Sequence, residues 1–230
     1  MPALLRMRIG IRGIGWLTRE GFGCIRNGLR HLYEDGEDVR VLPKKGIFSH
    51  PFKNFGRLDA VSRMTVYAVS LALQDAGVEY SPLRKQDVGI VGTSAEGSLR
   101  TDLDYFRDYL ESGRTLSRGN LFIYTLPSSA IGEAAIHFGL LGPALYASGR
   151  ANILSGALEI AAEMIEAGQT PAVLAGRAEP DEAVFLLVQR DYTAGPGFLC
   201  DLDEARSVTD VSADAAIVVD QFLRLAARKG

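Results

Sequence analysis

Gly142-Pro-Ala-Leu-Tyr-Ala-Ser-Gly-Arg-Ala-Asn-Ile-Leu-Ser-Gly156 decides how this chain is read. An apolar run, Pro143 to Ser148, passes through Gly149 into Asn152-Ile-Leu-Ser-Gly-Ala-Leu-Glu-Ile160. In that second part Ile153, Ala157, Ile160 and Met164 share one helical face, and Leu154, Leu158, Ala161 and Ile165 another. The spacing predicts a strand that turns sharply into a helix buried most of the way round, stopped by Gly168. Enzymes mount nucleophiles at such elbows because a helix N-terminus favours a thiolate or an oxyanion. At this elbow stand Arg150, Ala151 and Asn152. The scaffold suits covalent chemistry, and the reacting atom is missing.

Working outward, Pro171 to Ala175 reads as a short buried strand ending in Gly176-Arg-Ala-Glu179, and Asp87 to Val91 as another. Leu58 to Ala76 is the clearest helix, with Leu58, Val61, Met64, Ala68, Leu71 and Ala72 at helical spacing and Gly77 as its stop. Ser128 to Phe138 is a second. Thr101 to Ser112 is a third, opening on a capping-box-like Thr101 and Asp104 and carrying Leu103, Phe106 and Leu110 on one face. Arg8 to Leu17 predicts a strand, Phe22 to Leu32 an amphipathic helix, Glu34 to Asp38 an acidic turn and Val39 to Leu42 a short strand. Pro43 to Gly56 and Gly195 to Thr209 read as loops. Ala183 to Gln189 fits a strand or a helix. Ala213 to Phe222 predicts a strand, followed by a helical tail from Leu223 to Lys229. Strands alternating with buried helices imply one α/β domain over residues 1–230, a largely parallel sheet with helices on both faces.

The chain has 230 residues, 47% apolar and 23% charged, with a net charge of −3. That balance gives no reason to expect nucleic acid or an anionic membrane as a partner. No apolar run is long enough to span a bilayer, and no signal-peptide core precedes the first strand, so a cytoplasmic location is expected. The two cysteines, Cys24 and Cys200, make neither a disulfide framework nor a zinc site. Acidic residues after Cys200 disfavour its thiolate, and Cys24 reads as packing. His31, His50 and His137 lack partners at metal-ligand spacing. Gly13-Ile-Gly15 follows a strand, but the third glycine of a dinucleotide fingerprint falls on Thr18, so a tight turn is expected there. Gly92-Thr-Ser-Ala-Glu-Gly97 lacks the Gly-Lys-Ser/Thr ending of a phosphate loop. Ser148 and Ser155 flank the elbow without a complete G-x-S-x-G. No metal and no cofactor is expected.

Several segments, taken in order, resemble the N-terminal half of the β-ketoacyl synthases, in the thiolase superfamily. Gly139-Leu-Leu-Gly-Pro143, the elbow and Leu174-Ala-Gly-Arg-Ala-Glu179 are similar to the family's "GL.GP…ACA.G…ALAGG.E" run. Val88-Gly-Ile-Val-Gly-Thr93 with Gly97, the helix from Leu58 to Gly77, Tyr124-Thr-Leu-Pro127, the opening Ile11 to Thr18 and the closing Ala215 to Gly230 resemble further family segments. Anchored on Gly142-Pro143, the family's acyl-accepting cysteine falls on Ala151, whose methyl group forms no thioester. The family's paired histidines lie in a C-terminal half that these 230 residues do not reach.

The resemblance implies a chain-length-factor-like, non-catalytic subunit with no catalytic residue of its own. Its expected partner is an active ketosynthase in fatty acid or polyketide chain extension; pairing with a second copy of itself is the other option, and an acyl carrier protein is a further partner. In this fold the strand before the elbow pairs across the dimer, which makes Ala144, Leu145, Tyr146, Ala147 and Ser148 the interface candidates. Leu121, Phe122 and Tyr124 are candidates for lining the partner's acyl tunnel. Two other functions stay open at this point. One is an acyltransferase or thioesterase using Cys200 or Ser155. The other is a homodimeric module that binds an acyl chain or carrier protein.

Overall fold

A computed structural model describes residues 8–34, 42–81, 83–115, 118–148, 153–191, 197–212 and 214–229. Most of the expected acidic turn and of the strand at 39–42 lies outside them. The described residues form an eight-stranded sheet: β1 (Arg8–Leu17), β2 (Gly21–Cys24), β3 (Arg30–Leu32), β4 (Val88–Ser94), β5 (Ala144–Ser148), β6 (Ala172–Glu179), β7 (Glu182–Asp191) and β8 (Cys200–Asp201). Their order is β3-β2-β1-β7-β6-β4-β5, with β8 added beside the start of β1. One face carries α1 (Ala60–Asp75) and α4 (Ser129–Phe138). The other carries α5 (Ile153–Glu166), α6 (Leu202–Thr209) and α7 (Ala215–Ala227). Helices α2 (Leu99–Glu111) and α3 (Gly119–Ile123) stand apart from both cores.

The period-two alternation of the inner strands builds the two cores. In β7, Ala183, Phe185 and Leu187 face α1 while Val184, Leu186 and Val188 face the opposite layer. In β6, Leu174 and Val173 divide the same way.

The sheet is mixed and mostly antiparallel, a correction to the largely parallel expectation. Only β5 and β6 run parallel to their shared neighbour β4. Pro180 and Asp181 alone separate β6 from β7, and a two-residue connection makes an antiparallel hairpin. β7 then pairs antiparallel along the whole of β1, interrupted by an irregularity between Ile11 and Gly13.

Five further expectations are corrected. Phe22 to Leu32 is the β2–β3 hairpin rather than a helix. The strands approach so closely that a Cβ on Gly21 would lie 2.1 Å from the His31 carbonyl oxygen. Gly13 and Gly15 lie inside β1 rather than in a turn, and they let the α1 backbone settle on the strand. Ala213 to Phe222 is helical: Asp214 accepts hydrogen bonds from Ala216 N (2.8 Å) and Ile217 N (3.3 Å), and Ala215, Val218, Val219 and Phe222 form one buried stripe. The expected loop before Thr209 contains β8 and α6, opened by a true capping box between Asp201 and Glu204. No such box opens α2: it starts at Leu99, and the Thr101 hydroxyl donates to Asp59 instead (2.9 Å).

Candidate functional site

β5 and α5 frame the elbow as the sequence predicts, while its turn, residues 149–152 and Ala151 with it, lies outside the described residues. Among the described residues β5 pairs through one edge only, from Ile90↔Ala144 to Ser94↔Ser148, and ends the sheet. Ala144, Leu145 and Ser148 are exposed; Tyr146 and Ala147 are half-buried. The Tyr146 hydroxyl is buried with no hydrogen-bond partner among the described residues. Burial raises its pKa; the Ser94 hydroxyl works against the rise and the Glu179 carboxylate adds to it.

Beyond the ends of β4 and β6 a buried polar network forms. The Ser94 hydroxyl donates to Glu179 Oε2 (2.9 Å), and Ala95 N donates to Oε1 (2.6 Å). Ser94 Oγ in turn accepts from Gly97 N (2.9 Å), which shapes the turn after β4. Arg177 bridges Glu179 (3.2 Å) and Glu182 (2.9 Å). Burial raises the Glu182 pKa, opposed by Arg177 and reinforced by Asp214, Asp181 and Glu179. The network floors an open cleft of about 560 Å³ whose rim includes Arg19, Arg100 and Asp181. The Ser94 hydroxyl beneath it is 1% exposed and committed to the Glu179 carboxylate, an arrangement for holding the sheet ends together.

Neither thiol is poised for reaction. Cys24 Sγ donates to the Leu71 carbonyl (3.3 Å), and burial, aided by Asp75, pushes its pKa up to about 12. Cys200 is buried against β1, and burial followed by the Glu204 charge pushes it up to about 12 as well. Ser155 is buried in the first turn of α5.

The three tunnel candidates go separate ways. Leu121 lines a second cleft of about 560 Å³ with Leu58, Val61, Met64 and Pro180. Phe122 is exposed, its ring 5.6 Å from Tyr105. Tyr124 is buried and donates to Glu133 (3.1 Å).

Two features escaped the sequence reading. His137 is stacked between Phe52 (4.0 Å) and His50 (4.2 Å), a meeting of α4 with the loop before α1 that no spacing signals. The apolar face of α2, found by its periodicity, is exposed: no residue of this helix is buried. Among the described residues no group of three His, Cys, Asp or Glu side chains is arranged to hold a metal ion, and no helix is long and apolar enough to cross a membrane.

A family model for the N-terminal domain of β-ketoacyl synthases matches residues 38–186, 149 of the 230. A curated relative from Streptomyces virginiae, carrying the name polyketide β-ketoacyl synthase 2, is 32% identical over 127 residues, which are 54% of this chain and 31% of that protein. The solved ishigamide ketosynthase/chain length factor superposes with a TM-score of 0.61 at 18% identity, over 81% of this chain and 63% of that one. A ketosynthase in complex with its chain length factor, from Xenorhabdus doucetiae, superposes at 0.55 and 18% identity, over 79% of each chain. At these identities the structural likeness is one of fold. The chain spans less than a third of the curated relative's length.

Proposed function

Because the chain belongs to the β-ketoacyl synthase N-terminal domain family, we propose that it serves as a non-catalytic, chain-length-factor-like subunit of a ketosynthase. It pairs with an active ketosynthase through the free edge of β5 and helps shape that partner's acyl tunnel during polyketide or fatty acid extension. The observation that carries this reading is the placement of the thiols. Condensation in the family starts with acyl transfer to a cysteine at the elbow; here that position is Ala151, and the two cysteines of the sequence are buried elsewhere with their pKa values raised to about 12. The free edge of β5 supports the pairing, since an unpaired strand edge is a template for another strand. The solved relatives named as ketosynthase and chain length factor support the choice of partner.

Co-expression with the ketosynthase encoded nearest its gene tests the pairing, with a heterodimer on size-exclusion light scattering as the expected result. Intact-mass analysis after incubation with acyl-loaded carrier protein tests the chemistry. A covalent acyl adduct on this chain would overturn the non-catalytic reading.

A further inference from the structure

Asn27-Gly28 is the only asparagine–glycine pair in the sequence; the other three asparagines precede Phe55, Leu121 and Ile153. The pair lies in the loop that joins β2 to β3, closed where Cys24 N donates to the Leu29 carbonyl (2.8 Å). Both residues are exposed. Gly28 has a φ of +67°, and a Cβ built on it would meet nothing within 4 Å. Among the described residues its N–H donates to no acceptor. The Asn27 side chain is held by one contact, Nδ2 donating to the Gln74 carbonyl (2.8 Å) near the end of α1. The Gly28 nitrogen and Asn27 Cγ are the two ends of a five-membered ring. A side chain on the second residue crowds the closure of such a ring; glycine has none and leaves the backbone free to turn into it.

We propose that Asn27 is a self-modification site, converted by water to aspartate and isoaspartate. The Gly28 nitrogen bonds to Asn27 Cγ, and its proton passes through solvent to Nδ2, which leaves as ammonia. The product is a succinimide. Water then opens the ring. Addition at Cγ restores the normal backbone and leaves an aspartate side chain; addition at the backbone carbonyl carbon routes the chain through Cβ and Cγ, an isoaspartate. Nothing is oxidised or reduced, and water is the one co-reactant. The position gives the change its consequence. Asp75, 2% exposed, accepts from Arg26 N, Asn27 N and Ile14 N (2.8 Å each), which ties the loop to α1 and β1. A carboxylate in place of the amide loses the donor to Gln74 and sets a second negative charge beside Asp75, at the negative end of the α1 dipole. Isoaspartate also lengthens the backbone by a carbon beside the Asp75 contact. The loop lifts from α1 and loosens the β2–β3 end of the sheet, the end away from β5.

The test ages the purified, folded chain at pH 8 over two weeks and maps its tryptic peptides by mass spectrometry. An isoaspartyl methyltransferase assay counts the isoaspartate. Asn27 is expected to convert at least tenfold faster than Asn54 and Asn120, with isoaspartate among the products. Asn27→Gln, whose longer side chain closes only a less favoured six-membered ring, is expected to age with most of the methyl-accepting sites gone. Asn27→Asp is expected to lower the urea midpoint in the same direction as ageing lowers the parent's. An Asn27 still intact in the aged, folded chain would overturn the site. Conversion at equal rates at Asn27, Asn54 and Asn120 would overturn it too. An unchanged midpoint in Asn27→Asp would overturn the loosening of the hairpin.

Discussion

Gly15 of β1 lies beneath Ala68 of α1 so closely that a Cβ at residue 15 would sit 2.2 Å from the Ala68 carbonyl oxygen. The neighbour is helix backbone, which has no rotamer to move. Gly15→Ala therefore forces α1 off the sheet. It is expected to destabilise the fold by about 3 kcal/mol, the upper range for overpacking. Urea unfolding checks this; an unchanged midpoint would show that α1 can shift freely.

His137 makes stability depend on pH. Burial, with a contribution from His50, lowers its pKa from 6.5 to about 4. Between those values the unfolded chain binds a proton that the folded one refuses, so stability falls as pH drops from 6.5 towards 4. Above 6.5 the group contributes no slope. Raised carboxylate pKa values such as those of Asp75 and Glu182 act in the opposite sense at the acidic end, so a variant comparison isolates the histidine. His137→Gln is expected to flatten the curve of urea midpoint against pH between 6.5 and 4. An identical slope in parent and variant would contradict the assignment.

Glu179 holds the ends of β4 and β6 through Ser94, Ala95 and Arg177. Glu179→Ala leaves the Arg177 guanidinium, 15% exposed, with one carboxylate fewer. The expected cost is about 3 kcal/mol, as for breaking a buried ion pair from one side. Differential scanning calorimetry reads it as a lowered Tm; a Tm within a degree of the parent's would show the network to be dispensable.

The thiols give a reactivity test. At pH 8, Cys24 and Cys200 are both buried and protonated, so the folded chain is expected to react negligibly with an aromatic disulfide reagent over an hour. In urea two equivalents per chain should react within minutes. A rapid equivalent from the folded chain would identify a thiol that the structure leaves unexplained.

The legible parts of the fold share one property: a local pattern agreeing with the burial it met. The helix read at Leu58 to Ala76 is α1, Ala60–Asp75, because its apolar positions face a core that exists. The glycine pair at residues 13 and 15 reads locally as a turn because its cause is the distant helix α1, at Ala68, Ala72 and Ala76, an interaction absent from the local sequence. Ala213 to Phe222 reads as a strand, yet the cap at Asp214 and a buried stripe of period 3.6 prevail over the β-branched propensity of Ile217, Val218 and Val219. At the candidate site the strand and helix flanking the elbow were readable from Pro143 and the apolar run. The exposure of α2 was not, since periodicity marks an apolar face without saying whether the chain itself covers it.

The long β1–β7 pairing also governs how the molecule is made. Residues 8–17 find their longest partner in residues 182–191. At about 5–20 residues per second, the first strand waits roughly ten to thirty seconds on the ribosome before its partner is synthesised. During that interval β1 has the short β2–β3 hairpin beside it and α1 on one face, while the edge that β7 will cover stays bare. Nascent chains halted before residue 182 are thus the ones a chaperone must shield, and their solubility should rise abruptly once β7 has emerged.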